Sequence, residues 1–197
     1  FCFTLFSGLE SRAALEGAAA LSSSSLAIAP ITLVRGGVEP PGPSSRRTPL
    51  AVTEINHTPA PRTDGRDLRF VELYNSSPYS QDIGGYRFSG AFSYTVPSGT
   101  VMTARSYLVV APVPADLAAV YGISNVVGGF DDSDFDGTSS ITLNDELGAW
   151  LTTIDYADNP PWPVAADGAG HTLVLARPSY GEREADGWAA SAKIGGS

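Results

Sequence analysis

From Leu50 onward, short apolar runs separated by Gly, Pro, Asp and Asn follow one another along the chain. This is the pattern of strands joined by tight connections, not of amphipathic helices. Leu50–Asn56 and Leu68–Asn75 are the first two strands, joined by the Pro/Asp/Gly-rich stretch 57–67. In the second, Phe70 and Tyr74 fall on one side and Val71 and Leu73 on the other, so both faces are apolar and a central position is expected. Phe92, Tyr94 and Val96 alternate with Ser93 and Thr95, the period of a half-buried strand. Tyr107–Ala111, Ile141–Leu143, Trp150–Tyr156 and Thr172–Arg177 complete the series. Trp150 and Ile154 are expected on one face, as are Leu173 and Leu175. One helix is predicted within Val113–Gly122. Pro114 suits its first position, Asp116 complements its positive end, Gly122 can take a left-handed cap, and Leu117, Val120 and Tyr121 form its stripe. An all-β sandwich of about eight to nine strands with one short helix results.

Residues 1–35 read differently. Phe1–Phe6 and Leu26–Val34 are apolar without a clear period, and Ala13–Leu21 suits a short helix. The next segment, residues 36–47, is Gly-Gly-Val-Glu-Pro-Pro-Gly-Pro-Ser-Ser-Arg-Arg, a stiff polar linker. The expected organisation is therefore 1–35 as the end of a preceding domain or an N-terminal extension, 36–47 as linker, and 48–197 as the sandwich. Because the chain begins at Phe1, it is expected to be a piece or processed product of a longer protein.

Charge narrows the partners. The 197 residues hold 12 Lys and Arg against 21 Asp and Glu, a formal charge of −9 and a pI near 4.5. Such a surface repels phosphate backbones and anionic membranes and suits cations or basic and neutral polymers. The single cysteine, Cys2, excludes an internal disulfide. No apolar run reaches the roughly 18 residues of a membrane span.

The sharpest local motif is Asp132-Ser133-Asp134-Phe135-Asp136-Gly137-Thr138, the first half of a calcium loop in which alternate carboxylates converge on a hard cation. Asp132, Asp134 and Asp136, with the Thr138 carbonyl, are the candidate calcium ligands, and Asp145 or Glu146 could complete the shell. The twelfth position is Leu143 where a bidentate Glu is usual, so a solvated acidic turn is the competing reading. His57 and His171 are the only histidines, lack a third metal ligand or a nucleophile motif, and are expected at the surface. Glu54 and Glu72 could be cross-strand neighbours. A glycosidase uses such a pair, but a lone sandwich rarely offers the cleft, and Glu72 is expected to accept hydrogen bonds from a turn backbone. No glycine-rich phosphate loop is present. Neither a catalytic residue nor an organic cofactor is expected.

Three ordered segments carry a family resemblance. Val52-Thr53-Glu54-Ile55-Asn56 is followed by Phe70-Val71-Glu72-Leu73-Tyr74-Asn75. Asp82-Ile83-Gly84-Gly85-Tyr86-Arg87-Phe88 comes next, with Tyr86 where Trp is usual. Ile154-Asp155-Tyr156, Trp162-Pro163 and Asp167-Gly168-Ala169-Gly170-His171-Thr172-Leu173 then lead to Trp188-Ala189-Ala190-Ser191 and the final Gly195-Gly196-Ser197. This succession resembles the lamin-tail (intermediate-filament tail) domain family, in the form found in bacterial exported proteins. The resemblance implies an immunoglobulin-like sandwich without catalysis. It departs from the family at the longer, more acidic segment 131–139 and does not cover residues 1–47. The expected role is an accessory or interaction module of a multidomain exported or cell-surface protein. Its partners would be a protein or extracellular polymer and the neighbouring domains, without nucleic acid or a membrane span. A structural subunit of an extracellular filament, or the accessory domain of an extracellular hydrolase, are the alternatives. Tyr79, Tyr86 and Tyr180 are candidate sugar contacts.

Overall fold

A computed structural model describes residues 39–43, 47–130 and 135–196. The chain divides into two compact units, Phe1–Arg35 and Gly36–Ser197, and the expectations for residues 1–35 lie outside the described residues.

Twelve strands and one α-helix form among the described residues: β1 (Leu50–Asn56), β2 (Phe70–Asn75), β3 (Gln81–Asp82), β4 (Arg87–Gly90), β5 (Tyr94–Thr95), β6 (Val101–Met102), β7 (Tyr107–Ala111), α1 (Pro114–Tyr121), β8 (Val126–Gly128), β9 (Ser139–Asn144), β10 (Trp150–Tyr156), β11 (Leu173–Leu175) and β12 (Trp188–Ala190). They build a six-stranded sheet in the order β12-β11-β1-β2-β7-β8, a four-stranded sheet in the order β10-β9-β4-β5, and a β3-β6 ribbon. Neighbours run antiparallel except β7 and β8. Between the two larger sheets Val52, Ile55, Val71, Leu73 and Val110 meet Phe88, Ile141, Leu143 and Ile154. Each such side chain contributes about 2 kcal/mol on burial. Phe92, Phe130, Phe135 and Tyr156 add an aromatic cluster, with Phe92 and Phe130 stacked at 4.1 Å. Trp162 and Trp188 pack together at 5.9 Å. The result is an immunoglobulin-like β-sandwich.

The long strands follow the apolar pattern. β2 lies between β1 and β7, as its two apolar faces require, and Leu173 and Leu175 are both buried in the core. Gly122 caps α1 at φ 69°. The departures have local causes. The alternating stretch Phe92–Val96 pairs only over Tyr94–Thr95, because Phe92 and Val96 reach the core from irregular backbone. In β10 the register shifts between Trp150 and Thr152. That bulge turns Trp150 away from the face of Ile154, leaving the residue 38% exposed with the Arg47 guanidinium over its ring at 4.4 Å. Strands β3, β6, β8 and β12 are two or three residues long and carry no readable period. Their formation raises the count above the eight or nine expected.

One buried carboxylate ties the sheets together. β1 pairs with β11 only at Glu54 and Ile55, so the Val52 N–H has no strand partner there. It donates to Glu182 Oε1 at 2.7 Å, while Thr152 of β10 donates its hydroxyl to Glu182 Oε2 at 2.5 Å. Glu182 is 2% exposed and spans from one sheet to the other.

Candidate functional site

The outer face of the six-stranded sheet, turned away from the core, carries the polar groups that the fold does not consume. Its geometry begins with a bulge in β1. The β1–β2 register shifts between Val52 and Glu54, which inserts Thr53 and keeps Val52 and Ile55 both pointing inward. Glu54 then stands outward, directly opposite Glu72 of β2. Residues opposite one another in an antiparallel pair have Cβ atoms about 5 Å apart, so the two carboxylates are neighbours, as the sequence suggested.

Their surroundings differ. Thr172 donates its hydroxyl to Glu54 Oε1 at 2.6 Å, and the C-terminal tail closes over the carboxylate. A Cβ on Gly196, at φ 119°, would sit 2.6 Å from Glu54 Oε1, so only glycine allows this approach. Glu54 is left 2% exposed. Glu72 is partly open. It accepts a 2.6 Å hydrogen bond from the Thr53 hydroxyl and has no cationic partner among the described residues. The predicted turn-backbone donors are replaced by this neighbouring side chain. Burial pushes the Glu72 carboxyl up to about 7, with the Thr53 hydrogen bond opposing and the Glu54 charge adding to the rise.

Two depressions meet at Glu72 and Asn125. A smaller one of about 280 Å³ lies toward α1, lined by Glu54, Phe70, Leu117, Tyr121 and Gly195. Beneath α1, Leu117 packs with Leu68, Phe70, Val109 and Ala111 as a second apolar cluster, which fixes that wall. The larger groove, about 790 Å³, crosses the sheet over Thr53, Glu72, Tyr107, Val174 and Ala189 and is bounded at one end by Glu39, Pro41 and Asp186. Its volume falls within the range of ligand-binding clefts. Glu39 is held in place by its N–H to the Ala176 carbonyl and by Ser179, which donates to its carboxylate.

The other sequence candidates lie elsewhere. Of the expected calcium ligands, Asp132 and Asp134 fall outside the described residues. Asp136 pairs with Arg69 at 3.1 Å, and at Thr138 it is the hydroxyl, not the carbonyl expected to ligate, that donates to Asp158 at 3.1 Å. Among the described residues no group of three or more metal-binding side chains occurs.

His57 is not at the surface: it is fully buried against Tyr156, with ring centres 5.2 Å apart. Its Nδ1 lies 2.8 Å from the Thr58 hydroxyl. Burial lowers its pKa below 6.5, against the pull of Asp167, Asp158 and Asp136. His171 is half-buried and donates from Nδ1 to the Ser191 carbonyl at 2.7 Å. Tyr79 and Tyr180 are exposed, whereas Tyr86 packs on the core.

Thr53, Tyr107 and Asn125 were absent from the sequence candidates. The alternation of Tyr107 and Val109 with Leu108 and Val110 carries the signal for one of them. A bulge and a loop asparagine leave none.

Residues 43–159 match the family model described as Lamin Tail Domain. The match takes in β1 to β10 and ends before β11 and β12, which complete the larger sheet. No curated protein of significant similarity was found.

Proposed function

The chain belongs to the lamin tail domain family of immunoglobulin-like, non-catalytic interaction domains, and we propose that it serves as an interaction module of a multidomain exported or cell-surface protein. The observation that carries this reading is the division of labour in the larger sheet. Its inner face is spent on the core, while its outer face presents a broad, carboxylate-bearing groove. Against catalysis by the Glu54–Glu72 pair stands the near-complete enclosure of Glu54, since a general acid and its partner must both reach the substrate. The acidic balance of the chain supports protein or neutral-polymer partners over nucleic acid. Among the described residues no helix is long and apolar enough to cross a membrane.

Two measurements test the proposal. Fractionation of cells producing the parent protein should place it in the extracellular or envelope fraction, and retention in the cytosol contradicts export. Sedimentation velocity of the full chain across a wide concentration range should give a monomer. Concentration-dependent growth into large species instead supports a filament or surface-assembly subunit.

A further inference from the structure

The larger groove combines small floor side chains with carboxylates toward both of its ends. Its floor crosses β12, β11, β1, β2 and β7. With strands about 4.8 Å apart, four spacings span about 19 Å, the reach of about six extended residues at roughly 3.3 Å each. The floor residues Ala189, Val174 and Thr53 are small, so a chain can lie close to the sheet.

At the far side Glu72 presents a carboxylate with one hydrogen bond and no cationic partner among the described residues. Tyr107, two residues from the position opposite Glu72, offers an aromatic face. Glu39 and Asp186 add negative charge at the other end. Arg177 also lines the groove, near the Tyr180 ring and the Asp186 carbonyl. Its charge acts on Glu39, so it offsets part of the negative charge at that end and leaves Glu72 as the carboxylate without a cation among the described residues. A carboxylate held up by burial gains most from a cation that arrives with its own apolar stem. Lysine and arginine carry such stems, and their cations also favour aromatic faces.

We infer that this groove binds an extended protein segment that carries a lysine or arginine, whose cation pairs with Glu72 while its stem lies on the small apolar floor. The inference rests on the interaction-module reading and gives it a site and a partner chemistry. The acidic chain attracts basic segments over longer range as well, which raises the encounter rate.

The test uses the full chain, labelled with ¹⁵N, and the peptide acetyl-Val-Lys-Val-Lys-Val-amide at pH 7.5. Saturable shift changes are expected at the amides of Thr53, Glu72, Val109 and Val174. Affinity should fall at least about tenfold in Glu72→Gln, and equally when norleucine replaces lysine, as loss of a charge-assisted hydrogen bond implies. Ala189→Arg, which puts a cation into the groove from the edge strand, should compete with the peptide and weaken it too. Shifts scattered over the acidic surface without saturation, or undiminished binding by Glu72→Gln and Ala189→Arg, overturn the inference. A monomeric, exported protein that fails to take the peptide overturns the groove alone. A cytosolic or polymeric one overturns the module reading whatever the peptide does.

Discussion

Replacing Glu72 with glutamine is expected to stabilise the protein, and to do so only above mildly acidic pH. The wild-type carboxyl sits at about 7 in the folded chain against 4.5 ordinarily, raised by burial. At roughly 1.4 kcal/mol per pH unit this corresponds to about 3 kcal/mol. Solvent screening at a partly open side chain brings the expected effect to about 2 kcal/mol. The sign follows from proton binding. Between pH 4.5 and 7 the folded chain holds more protons at Glu72 than the unfolded chain, so stability falls as pH rises through that window. Below 4.5 the group is neutral in both states and costs nothing.

Glutamine keeps an oxygen that can accept the Thr53 hydrogen bond and removes the charge. Urea unfolding of wild type and Glu72→Gln from pH 4 to 8 should therefore show no difference at the acid end. The variant should then gain a growing advantage, reaching about 2 kcal/mol near pH 8, or about 4–8 °C in Tm for a domain of this size. Subtracting the two curves removes other titrating groups. A difference that is flat with pH, or a variant less stable than wild type at pH 8, refutes the reasoning.

Three further outcomes follow from two buried side chains and one close backbone approach. Glu182→Ala strips acceptors from the buried Val52 N–H and Thr152 hydroxyl and should cost about 3 kcal/mol in urea unfolding. A loss under about 1 kcal/mol would remove the carboxylate from its bridging role. His57, lowered by burial, should titrate below 6.5 when its ring protons are followed by NMR. Its neutral form then contributes stability that is complete above 6.5 and declines as pH falls toward the folded value; titration at or above 6.5 contradicts this. Gly90→Ala places a Cβ 2.2 Å from the Ser140 carbonyl oxygen at φ 99°. It should lower stability by at least about 2 kcal/mol, and an unchanged thermal midpoint would show that β4 can shift away from β9.

What the sequence revealed and concealed has a physical pattern. β1, β2 and α1 were legible because their apolar spacing and the Pro114 and Gly122 caps act within a few residues. The Glu54–Glu72 pair was legible as two acids on consecutive strands. Its unequal burial was not, because Gly196 covers Glu54 from the far end of the chain. Trp150 was misplaced because a one-residue bulge reverses facing without leaving a mark in composition. Glu182 gave no signal, since its partners lie 130 and 30 residues away. His57 looked like a surface residue beside a Pro-rich loop, yet the aromatic cluster around Tyr156 draws it inward. Short strands such as β8 and β12 owe their pairing to β7 and β11, which no local pattern encodes.

Glu72 is a partly buried carboxylate with the Thr53 hydrogen bond and no cationic partner among the described residues, and the pairing proposed for it is with a basic segment. That pairing is tested most directly by following the Glu72 side-chain carboxyl carbon by NMR through a pH titration, with and without the lysine peptide. A midpoint near 7 in the free chain, moving downward when the peptide is bound, is the result expected. A midpoint near 4.5 in the free chain, or one that the peptide leaves unmoved, contradicts the account.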